Sequence, residues 1–105
     1  TYLRNFCESD EGRIKQYILL YLQAAPLFSQ KMTDALIDMD FETVSALVHS
    51  FKPKCKMMGM IHAHGLTMSI EQACEDRNES VFALVRSLLE ETETSVTELR
   101  EVALH

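Results

Sequence analysis

The 105-residue sequence predicts an all-α fold: an up-down antiparallel four-helix bundle with a short additional helix at its N-terminal end. Three observations carry this expectation. Apolar residues recur at helical spacing almost throughout, and the alternation of a half-buried strand never lasts. Three Gly and two Pro leave few turn signals, so the elements are few and long. Hydrophobic residues make up 47% of the chain, enough for the core of one modest domain over 1–105.

Ile14, Ile18, Tyr21, Leu22 and Ala25 mark the first helix. Ser9, Asp10 and Glu11 precede it as cap and first-turn acids, which suit the helix dipole. Pro26 then punctuates the chain. Proline is tolerated in the first turn of a helix and poorly inside one, so a second helix is expected to start there. Its apolar stripe is Leu27, Phe28, Met32, Ala35, Leu36 and Met39. Asp38-Met39-Asp40 is a short connection, and the third helix must fold back nearly antiparallel. Its stripe of Phe41, Val44, Val48, Phe51, Cys55 and Met58 steps alternately by three and four, as bundle packing requires. Gly59 ends or loosens that run. A fourth helix carries Ala63, Leu66, Ile70, Ala73 and Cys74. Residues 75–79 are the most polar stretch and form the next turn. The last helix runs about 25 residues from Ser80, burying Val81, Val85, Leu88, Thr92, Val96, Leu99 and Val102.

Composition excludes several classes of function. Sixteen Asp and Glu against ten Lys and Arg give a net charge of −6, which repels polyanions and argues against nucleic acid as a partner. No apolar run approaches the ~20 residues of a membrane span, and the start does not resemble a signal peptide. Three widely spaced cysteines, at 7, 55 and 74, do not form a disulfide framework and fit a reducing, cytoplasmic setting. Thr1 in place of Met leaves two readings open, a segment of a longer protein or a processed chain. His105 carries no weight.

The chain has no CxxC, HExxH, GxGxxG or Walker A segment, and no nucleophile elbow. A bundle of this size also has little room for a catalytic pocket. His49 is the residue with chemistry to offer. It points roughly 130° away from the centre of the apolar stripe and is expected to be exposed. Its helical neighbours are Ser45, Lys52, Pro53 and Lys56, while Lys54 lies on another face. An imidazole beside ammonium groups on a rigid helix suits a transferable anionic group. Periodicity by itself favours the plainer reading, a surface histidine in a solvated basic face.

The segment 46–59, ALVHSFKPKCKMMG, resembles the signature of histidine-containing phosphotransfer (HPt) domains of two-component systems. That signature is a histidine, any residue, an apolar residue, a lysine, usually a glycine, and a glycine ten residues after the histidine. His49, Phe51, Lys52 and Gly59 match in order and spacing. Leu66 and Ile70-Glu71 resemble the recurrent leucines and Leu-Glu pair of the family's next helix. The stretch from Ile14 to Met39 resembles the two leading helices, with a proline opening the second.

The resemblance implies a phosphocarrier without catalytic activity of its own, and no cofactor. Its histidine takes a phosphoryl group from an aspartyl-phosphate on a receiver domain and passes it to another. Carried over, His49 is the phosphoacceptor and Lys52 neutralises phosphoryl charge. Ser45, Pro53 and Lys56 contact the receiver, and Gly59 lets neighbouring helices approach. Mg²⁺ belongs to the receiver partner. A monomer suffices, free in the cytoplasm or attached to a hybrid sensor kinase anchored in the membrane. Pro53 departs from the family's usual glycine. It removes the helical donor to the carbonyl of His49, so a bent helix with His49 still exposed is expected.

Other features have plainer explanations. His62-x-His64, with nearby methionines, has metal-binding chemistry, but i and i+2 on a helix point about 160° apart, so no metal site is expected. Cys55 and Cys74 fall on buried stripes and are expected to be inert. The run from Glu90 to Glu93 reads as a solvated helix face. The alternative function is a non-enzymatic docking module that keeps the bundle and binds a receiver or kinase without transferring phosphate.

Overall fold

Four helices joined by three short turns make up residues 11–104, the residues that the computed structural model describes. They are α1 (Glu11–Ile37), α2 (Phe41–Met57), α3 (Ile61–Glu75) and α4 (Ser80–Leu104). Each packs on the next, and α4 returns to α1, which closes the ring. The expected caps Ser9 and Asp10, the third cysteine Cys7, and the side chains of Ile14 and Val102 lie outside the described residues.

The break expected at Pro26 does not occur. α1 runs straight through that residue, and the short leading helix is its N-terminal half rather than a separate element. Proline inside a helix loses one hydrogen bond and crowds a carbonyl, at a cost of about 3 kcal/mol. Against that stands one continuous buried stripe: Ile18, Tyr21, Ala25, Phe28, Met32 and Ala35, stepping 3, 4, 3, 4, 3 across the proline. A break would throw its two halves out of phase with a shared core. Pro26 itself is exposed, where water can satisfy the carbonyl it orphans. Two residues assigned to the stripe are on the surface instead. Leu27 is 62% exposed, and Met39 lies in the turn beyond the helix.

The other stripes pack as expected. Val44, Val48, Phe51 and Cys55 of α2 are buried with Met58 just past its end, as are Val81, Val85, Leu88, Thr92 and Val96 of α4. Phe28 stacks on Phe51 at 3.9 Å between ring centroids and 7° between planes, joining α1 to α2. Thr67 and Thr92 are the buried polar residues of the described core. Their hydroxyls donate to the carbonyls of His64 and Leu88 on their own helices, so neither is left unsatisfied.

All three turns stop a helix in the same way. After α2, Gly59 N–H donates to Lys56 O (3.1 Å) and Met60 N–H to Cys55 O (2.9 Å), with Gly59 in the left-handed region at φ 68°. This Schellman arrangement satisfies carbonyls that the helix end would orphan. Met39 (φ 53°) and Arg77 (φ 52°) do the same after α1 and α3, without glycine's freedom. Asp40 then caps α2, its carboxylate accepting from the backbone N–H and the hydroxyl of Thr43. Those bonds hold the Asp40 carboxyl below its ordinary value, the hydroxyl bond contributing most.

Candidate functional site

His49 is the middle residue of α2, eight positions from Phe41 and eight from Met57. Its neighbours Val48 and Phe51 are buried and anchor the helix, while the His49 side chain is 73% exposed. The helix continues past Pro53 to Met57, so the proline neither ends it nor buries the histidine.

The imidazole is not isolated. Its Nδ1 lies 3.4 Å from Glu71 Oε2, across the groove on α3. The other oxygen of the same carboxylate holds Lys52 Nζ at 2.8 Å. Glu71 therefore joins the two residues singled out in the sequence. Lys52 is half-buried in this pair rather than freely exposed. The Lys52 hydrogen bond, more than the longer one from His49, holds the Glu71 carboxyl below its ordinary value against the opposing effect of burial. A carboxylate facing Nδ1 favours the proton on that nitrogen. The lone pair of the neutral ring is then on Nε2, the nitrogen turned away from Glu71.

Around this triad α2 and α3 form an open groove of about 780 Å³, with Ser45, Met68 and Gln72 also on its walls. Pro53 and Lys56 are exposed on the solvent side of α2 and do not line it. Lys54 faces the opposite flank of α2, toward α1. Gly59 is remote from the groove and serves the left-handed stop described above.

The His62-x-His64 pair does not converge. His62 Nδ1 is 2.8 Å from Glu91 Oε1 on α4, and His64 is half-buried on another face of α3. No cluster of three or more His, Cys, Asp or Glu placed to hold a metal ion occurs among the described residues. The acidic run on α4 is not uniformly solvated, since Glu91 is engaged by His62 and Thr92 is buried. Cys55 and Cys74 are free and buried. Burial pushes the Cys55 thiol up to about 12 and raises that of Cys74, which keeps both from forming thiolates.

The family model described as Hpt domain matches residues 16–102. The chain belongs to the Hpt domain family. The match spans all four helices and includes His49, Lys52 and Glu71. Hpt domains are phosphocarriers rather than catalysts, act in phosphotransfer signalling and interact with receiver domains. No curated protein and no solved structure matches the chain significantly. No helix of the described residues is long and apolar enough to cross a membrane.

Sequence reasoning did not single out Glu71 as a site residue. It stood only as half of the Ile70-Glu71 pair. The period of one helix shows which way a residue faces, but not which residue of the neighbouring helix it meets. That register was the missing signal.

Proposed function

We propose that this Hpt domain is a phosphorelay intermediate with His49 as the phosphoacceptor. The observation that supports it most directly is the outward Nε2 of an exposed imidazole whose Nδ1 faces Glu71, with Lys52 alongside. The Nε2 lone pair attacks the phosphorus of an aspartyl-phosphate on a receiver domain. The P–Nε2 bond forms, the P–O bond breaks, and the aspartate carboxylate leaves. The Nδ1 proton stays facing Glu71, which offsets the positive charge that the ring acquires. One of the three N–H donors of Lys52 is used on Glu71, and the others can meet a phosphoryl oxygen. Transfer to the next receiver is the reverse sequence. The domain needs no cofactor of its own for this, and Mg²⁺ would be supplied by the receiver. A monomeric domain suffices, whether free in the cytoplasm or tethered to a hybrid kinase.

The test is transfer from phosphorylated receiver domains. Wild type should gain acid-labile, alkali-stable label, and His49→Gln should gain none. Label persisting in His49→Gln would overturn the site. Failure of wild type to take label from any of a panel of receivers would leave the docking module as the function.

A further inference from the structure

The turns after α1 and after α3 lie side by side at one end of the bundle, joined by Phe41 and Phe82, whose ring centroids are 6.3 Å apart. Three ordinary preferences are broken at this end. Ile37 and Met39 are 75% and 61% exposed, two large apolar side chains left in water. Met39 also holds a left-handed φ of 53°, the conformation that glycine takes at the other end of the bundle, at Gly59. Glycine in place of Met39 would relieve the backbone and remove apolar surface from water. Finally, Asp34, Asp38, Glu75 and Asp76 sit at the C-terminal ends of α1 and α3, where the helix dipole disfavours negative charge. Neither helix has a basic residue in its last turn, and none of these carboxylates is in an ion pair among the described residues. Asp40, Glu42 and Glu79 add to the same end, and Arg77 is the one basic residue in the two turns. Each of these choices works against folding, and together they ask for something outside the fold.

We infer that this end of the bundle docks a second protein through a basic segment. An apolar side chain of the partner rests against Ile37 and Met39, and its Lys or Arg side chains face the carboxylates. Charge complementarity selects that occupant. Anionic lipid headgroups and nucleic acid present phosphates, which these carboxylates repel. A second copy of the chain would bring the same acids to face their own kind. Position separates this surface from the histidine. His49 is eight residues along α2 from Phe41, about 12 Å of helix, in the groove on the α3 side. A partner seated on the turns leaves Nε2 open, so the domain can be held in place while His49 is in use. The inference goes beyond the phosphocarrier reading and stands without it.

The test titrates the complete domain with a helical peptide of leucine and lysine, and with its leucine–glutamate counterpart. Calorimetry reads Kd and amide NMR shifts read the contact surface. Only the lysine peptide should bind, shifting residues 37–41 and 75–79. Met39→Gly and Asp38→Lys should each weaken it about tenfold while raising the melting temperature, because glycine suits the left-handed stop and a cation suits the end of α1. A merely structural role would not move binding and stability in opposite directions. Glu98→Lys makes the same charge change on an exposed residue toward the far end of α4, and should bind as wild type does. Any one of three results overturns the docking surface: no binding of the lysine peptide, an unchanged Kd in Met39→Gly, or Glu98→Lys weakening binding as much as Asp38→Lys. Transfer to His49 is not read, so failure of the carrier reading would leave these outcomes as they stand.

Discussion

Replacing Glu71 by Gln keeps the shape of the site and removes its charge. In the proposed transfer, attack through Nε2 turns the His49 ring into a cation whose Nδ1 is 3.4 Å from the carboxylate. At that distance the attraction is about 1 kcal/mol at the dielectric of water and about 2.5 kcal/mol at half that value. His49 is mostly exposed and Lys52 already draws on the same carboxylate, so the lower end applies. A loss of about 1–2 kcal/mol from the transition state slows the chemical step roughly five- to thirtyfold. Rapid-quench transfer under single-turnover conditions measures this directly. Stability should barely move, because the Lys52–Glu71 pair is partly exposed and contributes at most about 1 kcal/mol. Nitrogen NMR provides a readout that a purely structural role would leave alone: the neutral ring should carry its proton on Nδ1 in wild type and lose that preference in Glu71→Gln. An unchanged rate together with an Nε2-protonated wild-type ring would refute the reasoning.

Lys52→Ala should slow transfer more than it destabilises the fold, with the melting temperature within a few degrees of wild type, since the ion pair it loses is half-exposed. Gly65→Ala should stabilise by about 0.5–1 kcal/mol in a denaturant titration, because glycine weakens a helix interior. Gly65 is inside α3, and a Cβ there would meet nothing within 4 Å. Asp40→Ala should lower the melting temperature at neutral pH by removing the cap of α2. The folded Asp40 carboxyl titrates below the ordinary 3.8, so its contribution is complete above that pH and fades as pH falls through the folded value. The gap between wild type and Asp40→Ala should therefore narrow in acid, and a gap that widens would contradict the assignment.

Much of this molecule was legible in its residues. The stripe of α2 names its buried face almost without error, and His49 is exposed because it stands about 130° from that stripe. Pro26 misled because a local rule was weighed alone. The stripe on either side of it shares one phase, and that agreement carries more core contact than one hydrogen bond is worth. Leu27 was placed in the core for the same reason, by starting a new helix at the proline and resetting its register. The contact of Glu71 with His49 depends on how neighbouring helices align, which no single-helix period encodes.

The position of His49 at the midpoint of a helix anchored by Val48 and Phe51 bears on how an encounter proceeds. Fixing the backbone of a residue costs about 1–2 kcal/mol, and here folding has already met that cost. On the proposed reading the acceptor nitrogen waits in place before any partner arrives, and the helix ends, where fraying begins, are two turns away in either direction. The conformational search needed for in-line alignment then falls on the visiting domain. Several donors can in turn present themselves to one fixed point, and the domain need not reshape itself for any of them.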